Sequence, residues 1–216
     1  MNKASYRIYY SIAYFVLNLL NRIRDTMDPF MTKVGTIFAS TGLSANFFTW
    51  LSLITFTLAG ILYACRSLVG EYWVYLPLIG SCLILLGGFL DIVDGSVARI
   101  TKQVSKRGSF LDSTGDRISE AVIFIGIAKG GFAEPTLCMI ALSLSFLVSY
   151  TRAKAESLQL GLAGLGLGER AERLLLLAVV SLIPVPRAME WAVISVSIIA
   201  SSTVIHRIIV AAKKLT

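Results

Sequence analysis

Residues 91–116, DIVDGSVARITKQVSKRGSFLDSTGD, carry four aspartates, Asp91, Asp94, Asp112 and Asp116, beside long apolar runs. A carboxylate near hydrocarbon costs about 3 kcal/mol or more, so acids in such a setting are paired, metal-bound or turned to water. Spacings of three and four residues put Asp91 with Asp94, and Asp112 with Asp116, on one face of a helix each. Four oxygen donors suit a hard cation, Mg²⁺ or Mn²⁺, of the kind that keeps waters and binds substrate phosphates. Four carboxylates exceed what one such ion usually takes from protein and fit a two-ion site. Gly95 and Ala98 lack bulk on the aspartate helix, so a nucleotide or a neighbouring helix can approach the backbone there. Arg99 adds a planar donor for phosphate. The short linker between the two acidic segments predicts antiparallel helices that are direct neighbours.

The elements that must position these residues are membrane helices. Of 216 residues, 56% are hydrophobic and 15% charged, against about 45–50% and 25% in soluble domains. One compact polytopic domain follows. The formal net charge of +7 suggests nucleic acid until topology is considered, because basic residues in a membrane protein mark the cytoplasmic side. Cys65, Cys82 and Cys138 are scattered without a CxxC, which gives neither a disulfide framework nor a zinc site. His206 is the only histidine, so histidine-based triads have no material. The first apolar stretch lacks a signal-peptide cleavage site.

Ile8, Ile12, Phe15, Val16, Leu19 and Ile23 recur at helical spacing and predict an N-terminal amphipathic helix over 3–24 in the membrane interface. Residues 1–44 are read as a juxtamembrane segment and 45–216 as the transmembrane domain. Six spans are predicted, over 45–64, 72–99, 109–129, 135–151, 171–184 and 188–210, with Ser44 as the N-cap of the first. An inside N-terminus collects most Lys and Arg on one side, leaving Arg66, Lys129 and Arg187 opposite. Both termini and all four aspartates are then cytoplasmic, and a nucleic-acid partner is excluded. Gly126 and Gly130 form a GxxxG read as helix packing, with a dimer contact as one form of it. The glycine-rich run 161–168 follows no strand, so it is read as a flexible loop rather than a dinucleotide fingerprint.

The pattern Asp-x2-Asp-Gly-x2-Ala-Arg-x8-Gly-x3-Asp-x3-Asp, here Asp91, Asp94, Gly95, Ala98, Arg99, Gly108, Asp112 and Asp116, resembles the signature of the CDP-alcohol phosphotransferase family. The resemblance implies a six-helix membrane fold, a homodimer and a two-metal site at the cytoplasmic face. It implies transfer of a phosphatidyl-type group from a CDP-linked lipid to an alcohol, with release of CMP. Asp91, Asp94, Asp112 and Asp116 would hold metal, with Asp116 also the general base. Asn46 and Thr49 resemble the family's Ser-Pro-Asn-x-x-Thr segment near the nucleotide, with Ala45 in place of proline. Gly95, Ala98, Arg99 and Gly108 complete the CDP-binding set.

Arg152, Lys154, Arg170 and Arg173 lie between the fourth and fifth spans and could converge on an anionic acceptor, since guanidinium binds phosphate bidentately. The bland alternative is positive-inside charge with Glu–Arg pairs. The runs Ser149-Tyr150-Thr151-Arg152-Ala153-Lys154-Ala155-Glu156 and Glu169-Arg170-Ala171-Glu172-Arg173-Leu174 resemble the inositol-phosphate branch of the family. That resemblance implies an inositol phosphate acceptor bound by Ser149, Arg152, Lys154, Arg170 and Arg173, with Arg207 added from the sixth span. It also implies a plasma-membrane enzyme with its site facing the cytoplasm. Glycerol-3-phosphate as acceptor and CDP-inositol as donor use the same core. A cation transporter is the reading from another class; it requires polar residues across the midplane, and spans two and three are apolar beyond the motif.

Overall fold

The structure, a computed structural model, describes residues 32–161, 168–183 and 185–215. The expected helix over 3–24 and most of the glycine-rich run lie outside them. After a helical stretch at 32–39 come α1 (Ala45–Ala64), α2 (Leu76–Ile100), α3 (Lys106–Lys129), α4 (Pro135–Ser157), α5 (Arg170–Ser181) and α6 (Ala188–Leu215). No strand occurs among the described residues. The helix starts are written in local chemistry. Ser44 accepts from the Phe47 amide at 3.3 Å, and Ser105 from the Gly108 amide at 3.0 Å. Glu134 does the same for Leu137 at 2.9 Å, and Glu169 with Glu172 forms a capping box on α5. Each satisfies a backbone donor that the first helical turn leaves unpaired.

α1, α2 with the turn before it (Gly70–Ile100), α4 and α6 are long and apolar enough to cross a membrane. α3 opens with Lys106, Arg107, Asp112, Asp116 and Arg117, and α5 has 12 residues; neither qualifies by length and composition. The chain is an integral membrane protein. Its outer surface agrees: Trp50, Ile54, Leu58 and Ile61 form one exposed stripe on α1, and Ile198, Ile205 and Ile209 another on α6. Inside, small polar side chains join helices, as in the Ser81–Ser181 hydroxyl pair at 2.6 Å and the bond from Ser52 to the Gly87 carbonyl at 2.9 Å.

One expectation fails. α2 and α3 do not pack directly on one another; α1 packs along both and separates them. The reason is steric. Gly60 of α1 lies against the α3 backbone at Val122 and Gly126, where an added methyl on either glycine would overlap the other helix. On the other side, Phe56 and Tyr63 of α1 fill the space left by Gly87 and Gly80 of α2. The Gly126–Gly130 pair is therefore spent inside the chain, on α1, rather than at a dimer contact. Phe56, Tyr63, Ile84, Ile123 and Ile127 form the core that results.

Candidate active site

The gap that α1 leaves between α2 and α3 is bridged by carboxylates. Asp91 of α2 and Asp112 and Asp116 of α3 each bring an oxygen within 4.8 Å of the others. Asp94, nearly a turn further along α2, is 7% exposed, and its Oδ2 is buried with no hydrogen-bond partner among the described residues. Thr49 of α1 reaches this carboxylate. The three clustered acids, with the orphaned buried oxygen of Asp94 further along α2, form a donor set that fits divalent cations that prefer oxygen ligands. Asp91, Asp112 and Asp116 of the motif meet here, while Asp94 lies outside their cluster.

Of the residues assigned to CDP, Thr49 and Gly95 are neighbours of Asp94. An added methyl on Gly108 would sit 3.8 Å from Asn46 Oδ1, so α1 and α3 face one another at their first turns. Gln103, in the linker, accepts from the Ala45 amide at 3.2 Å and ties that linker to the start of α1. Gly95 has open space beside it apart from the Arg99 guanidinium, 3.6 Å from where its Cβ would be. Arg99 donates to Ser96 at 3.2 Å, and Ala98 packs with the residues around Val93 and Val97.

On the other side, Asp91, Asp112 and Asp116 form one wall of a cavity of about 810 Å³. The facing wall carries Ser149, Arg152, Arg170, Arg173 and Arg207. Five of the six residues assigned to the acceptor thus converge; Lys154 is exposed and lies outside the lining. Arg170 crosses to the acids: Nη1 is 2.6 Å from Asp116 Oδ1 and 2.9 Å from Asp91 Oδ1. Its guanidinium also lies 4.9 Å from the centre of the Phe56 ring. Arg173, 1% exposed, is committed to Glu120 at 2.6 Å and 3.0 Å and to the Gly168 carbonyl. Arg207 donates to the Val148 carbonyl at 2.7 Å and to Glu169 at 3.2 Å. Arg152 pairs with Glu156 at 2.9 Å and approaches Glu169 at 3.5 Å.

Glu120 and Glu169 had no place in the sequence-based site. Glu120 did carry a signal, being an acid one turn after Asp116 at the start of an apolar run. Glu169 stood in the sequence only as part of the run Glu169–Leu174.

The family model for CDP-alcohol phosphatidyltransferase matches residues 42–208, most of the chain and all of the aspartate motif. The chain belongs to this family. As a CDP-alcohol phosphatidyltransferase it is a transferase of phosphate-containing groups. It is 34% identical over 197 residues to the archaetidylinositol phosphate synthase of Pyrococcus horikoshii, covering 91% of this chain and 98% of that one. It is 37% identical over 158 residues to the phosphatidylinositol phosphate synthase of Streptomyces avermitilis, covering 68% and 61%. Among solved structures, the Mycobacterium tuberculosis phosphatidylinositol phosphate synthase with CDP-DAG bound superposes with a TM-score of 0.69 at 23% identity, over 84% of this chain and 92% of that one. A second crystal structure of that protein, with manganese and citrate, gives the same TM-score of 0.69. These likenesses establish the phosphatidyltransferase fold.

Proposed function

We propose that the protein transfers a phosphatidyl- or archaetidyl-type group from a CDP-linked lipid to a hydroxyl of inositol phosphate, releasing CMP. The observation that carries this reading is the single cavity with an acidic wall facing an arginine wall, Asp91, Asp112 and Asp116 opposite Arg152, Arg170 and Arg207. Asp91, Asp94, Asp112 and Asp116 would hold two divalent ions, Mg²⁺ or Mn²⁺, which would supply charge neutralisation on the diphosphate. Asn46, Thr49, Gly95, Ala98, Arg99 and Gly108 receive the CDP end beside Asp94. Asp116 takes the proton of the acceptor hydroxyl, a role worth about 10²–10⁴-fold in rate. Arg152, Arg170 and Arg207, with Ser149, hold the acceptor phosphate so that its alcohol faces Asp116; Arg173 forms the floor below them.

In this reading α3 and α5 join the four apolar helices as spans, giving six, with residues 1–44 as an interfacial segment and 45–216 as the catalytic domain. Arginine and lysine at the motif-bearing end put that end and both termini in the cytoplasm. A plasma-membrane homodimer is the assembly the reading carries. The test is CMP release from a CDP-lipid with inositol phosphate, glycerol phosphate and serine compared side by side. Inositol phosphate should be preferred by at least about tenfold in kcat/KM. A preference for glycerol phosphate overturns the acceptor, and no CMP with any alcohol overturns the reaction.

A further inference from the structure

Glu120 is a buried acid with no part in the reaction above. It is 1% exposed and follows Asp116 by one turn on the same face of α3. Arg173 follows Arg170 by three residues on α5. The two helices therefore face each other through two rungs: Asp116 with Arg170 at 2.6 Å, and Glu120 with Arg173 at 2.6 Å. The backbone of α5 packs on α2 and α6, so these long side chains carry much of its registration against α3. Arg173 also holds the Gly168 carbonyl, at the entry to α5.

The geometry points to Glu120 as a positioning residue, whose buried pair with Arg173 sets the height of α5 against α3 and so holds Arg170 at Asp91 and Asp116. This deepens the proposed function and rests on it. Two consequences follow. Arg170 stands where the acceptor phosphate must arrive, so a displaced α5 weakens the acceptor and spares the CDP-lipid. Its guanidinium also competes for oxygens of the cation site, so releasing it tightens metal binding, whereas general loosening of the fold would weaken metal.

The test uses the full chain in detergent and the double variant Glu120→Gln/Arg173→Gln, which removes the pair without changing net charge. Replacing both partners avoids the unpaired buried charge that a single substitution would leave. The inositol phosphate KM should rise at least about tenfold while the CDP-lipid KM stays within about twofold. The Kd for Mn²⁺, read by electron paramagnetic resonance of free Mn²⁺, should fall at least about threefold. Glu120→Asp keeps both charges and leaves Arg173 in place, and should move the acceptor KM and the Mn²⁺ Kd in the same directions by less. Unchanged values in the folded double variant, weakened Mn²⁺ binding, or loss of the fold in both variants overturns the assignment. A wild type that rejects inositol phosphate defeats the functional reading alone, because the Mn²⁺ titration still reads Glu120.

Discussion

The two walls of the cavity are opposites in more than charge. The arginine wall is largely neutralised from within: Arg173 by Glu120, Arg207 by Glu169, and Arg152 by Glu156 and Glu169. The acidic wall is not. It gathers Asp91, Asp112 and Asp116 within 4.8 Å, and its cations among the described residues are Arg170, shared between two aspartates, and Arg117, 3.3 Å from Asp116. Asp94 adds a buried oxygen without a partner. On the proposed reading the acidic wall would take a divalent cation to balance its charge, and the arginine wall would exchange internal carboxylates for an incoming anion. The donor side would then depend on an added ion, while the acceptor side is a set of arginines already ordered by their own glutamates.

That contrast can be broken in several places. Chelating divalent ions should reduce CMP release to background, with recovery on adding Mn²⁺ or Mg²⁺ and a lower Tm in the chelated protein. Asp116→Asn should lose about 10³-fold in kcat while CDP-lipid binding, followed by equilibrium dialysis, persists; near-normal turnover would remove the general base. Arg152→Gln or Arg207→Gln should raise the inositol phosphate KM by about 10–100-fold, the worth of a charge-assisted bond, with the CDP-lipid KM little changed. Gly126→Leu attacks the support of the acidic wall, forcing α3 off α1, and should cost about 1–3 kcal/mol of stability, seen as a lower Tm. Smallest is Glu169→Gln, which frees Arg152 and Arg207 from a competing carboxylate. It should lower the inositol phosphate KM by about two- to fivefold, as expected for partly exposed ion pairs. A raised KM there would mean that Glu169 orients the arginines rather than competing for them.

Much of this was legible in the chain because it is local. Ser44 as a cap marked the start of α1, and the apolar runs gave all six helices within a few residues; α4 continues to Ser157 because Arg152 and Lys154 extend its polar end. Asp112 and Asp116 share a wall because i,i+4 spacing fixes a helix face, and Asp91 meets them across helices. What was missed is long-range. Spacing within α3 revealed a glycine face at Gly126 and Gly130 but not that Gly60, 66 positions earlier, would fill it, so the wedge of α1 between α2 and α3 was invisible. Arg170 and Arg173 read as two equivalent basic residues. Their separate tasks depend on Asp91, 79 positions away, and Glu120, 53 positions away, which no local pattern encodes.

The brevity of α5 has a consequence for how the two substrates meet. Its 12 residues cover about 18 Å at 1.5 Å per residue, little more than half of a hydrocarbon layer about 30 Å thick. Arg170, the first residue of α5, lines the cavity that also holds Asp91, Asp112 and Asp116. On the proposed reading of α5 as a span, that open end would let a water-soluble phosphate reach the aspartates without crossing the hydrocarbon, and the lipid would not have to leave its leaflet.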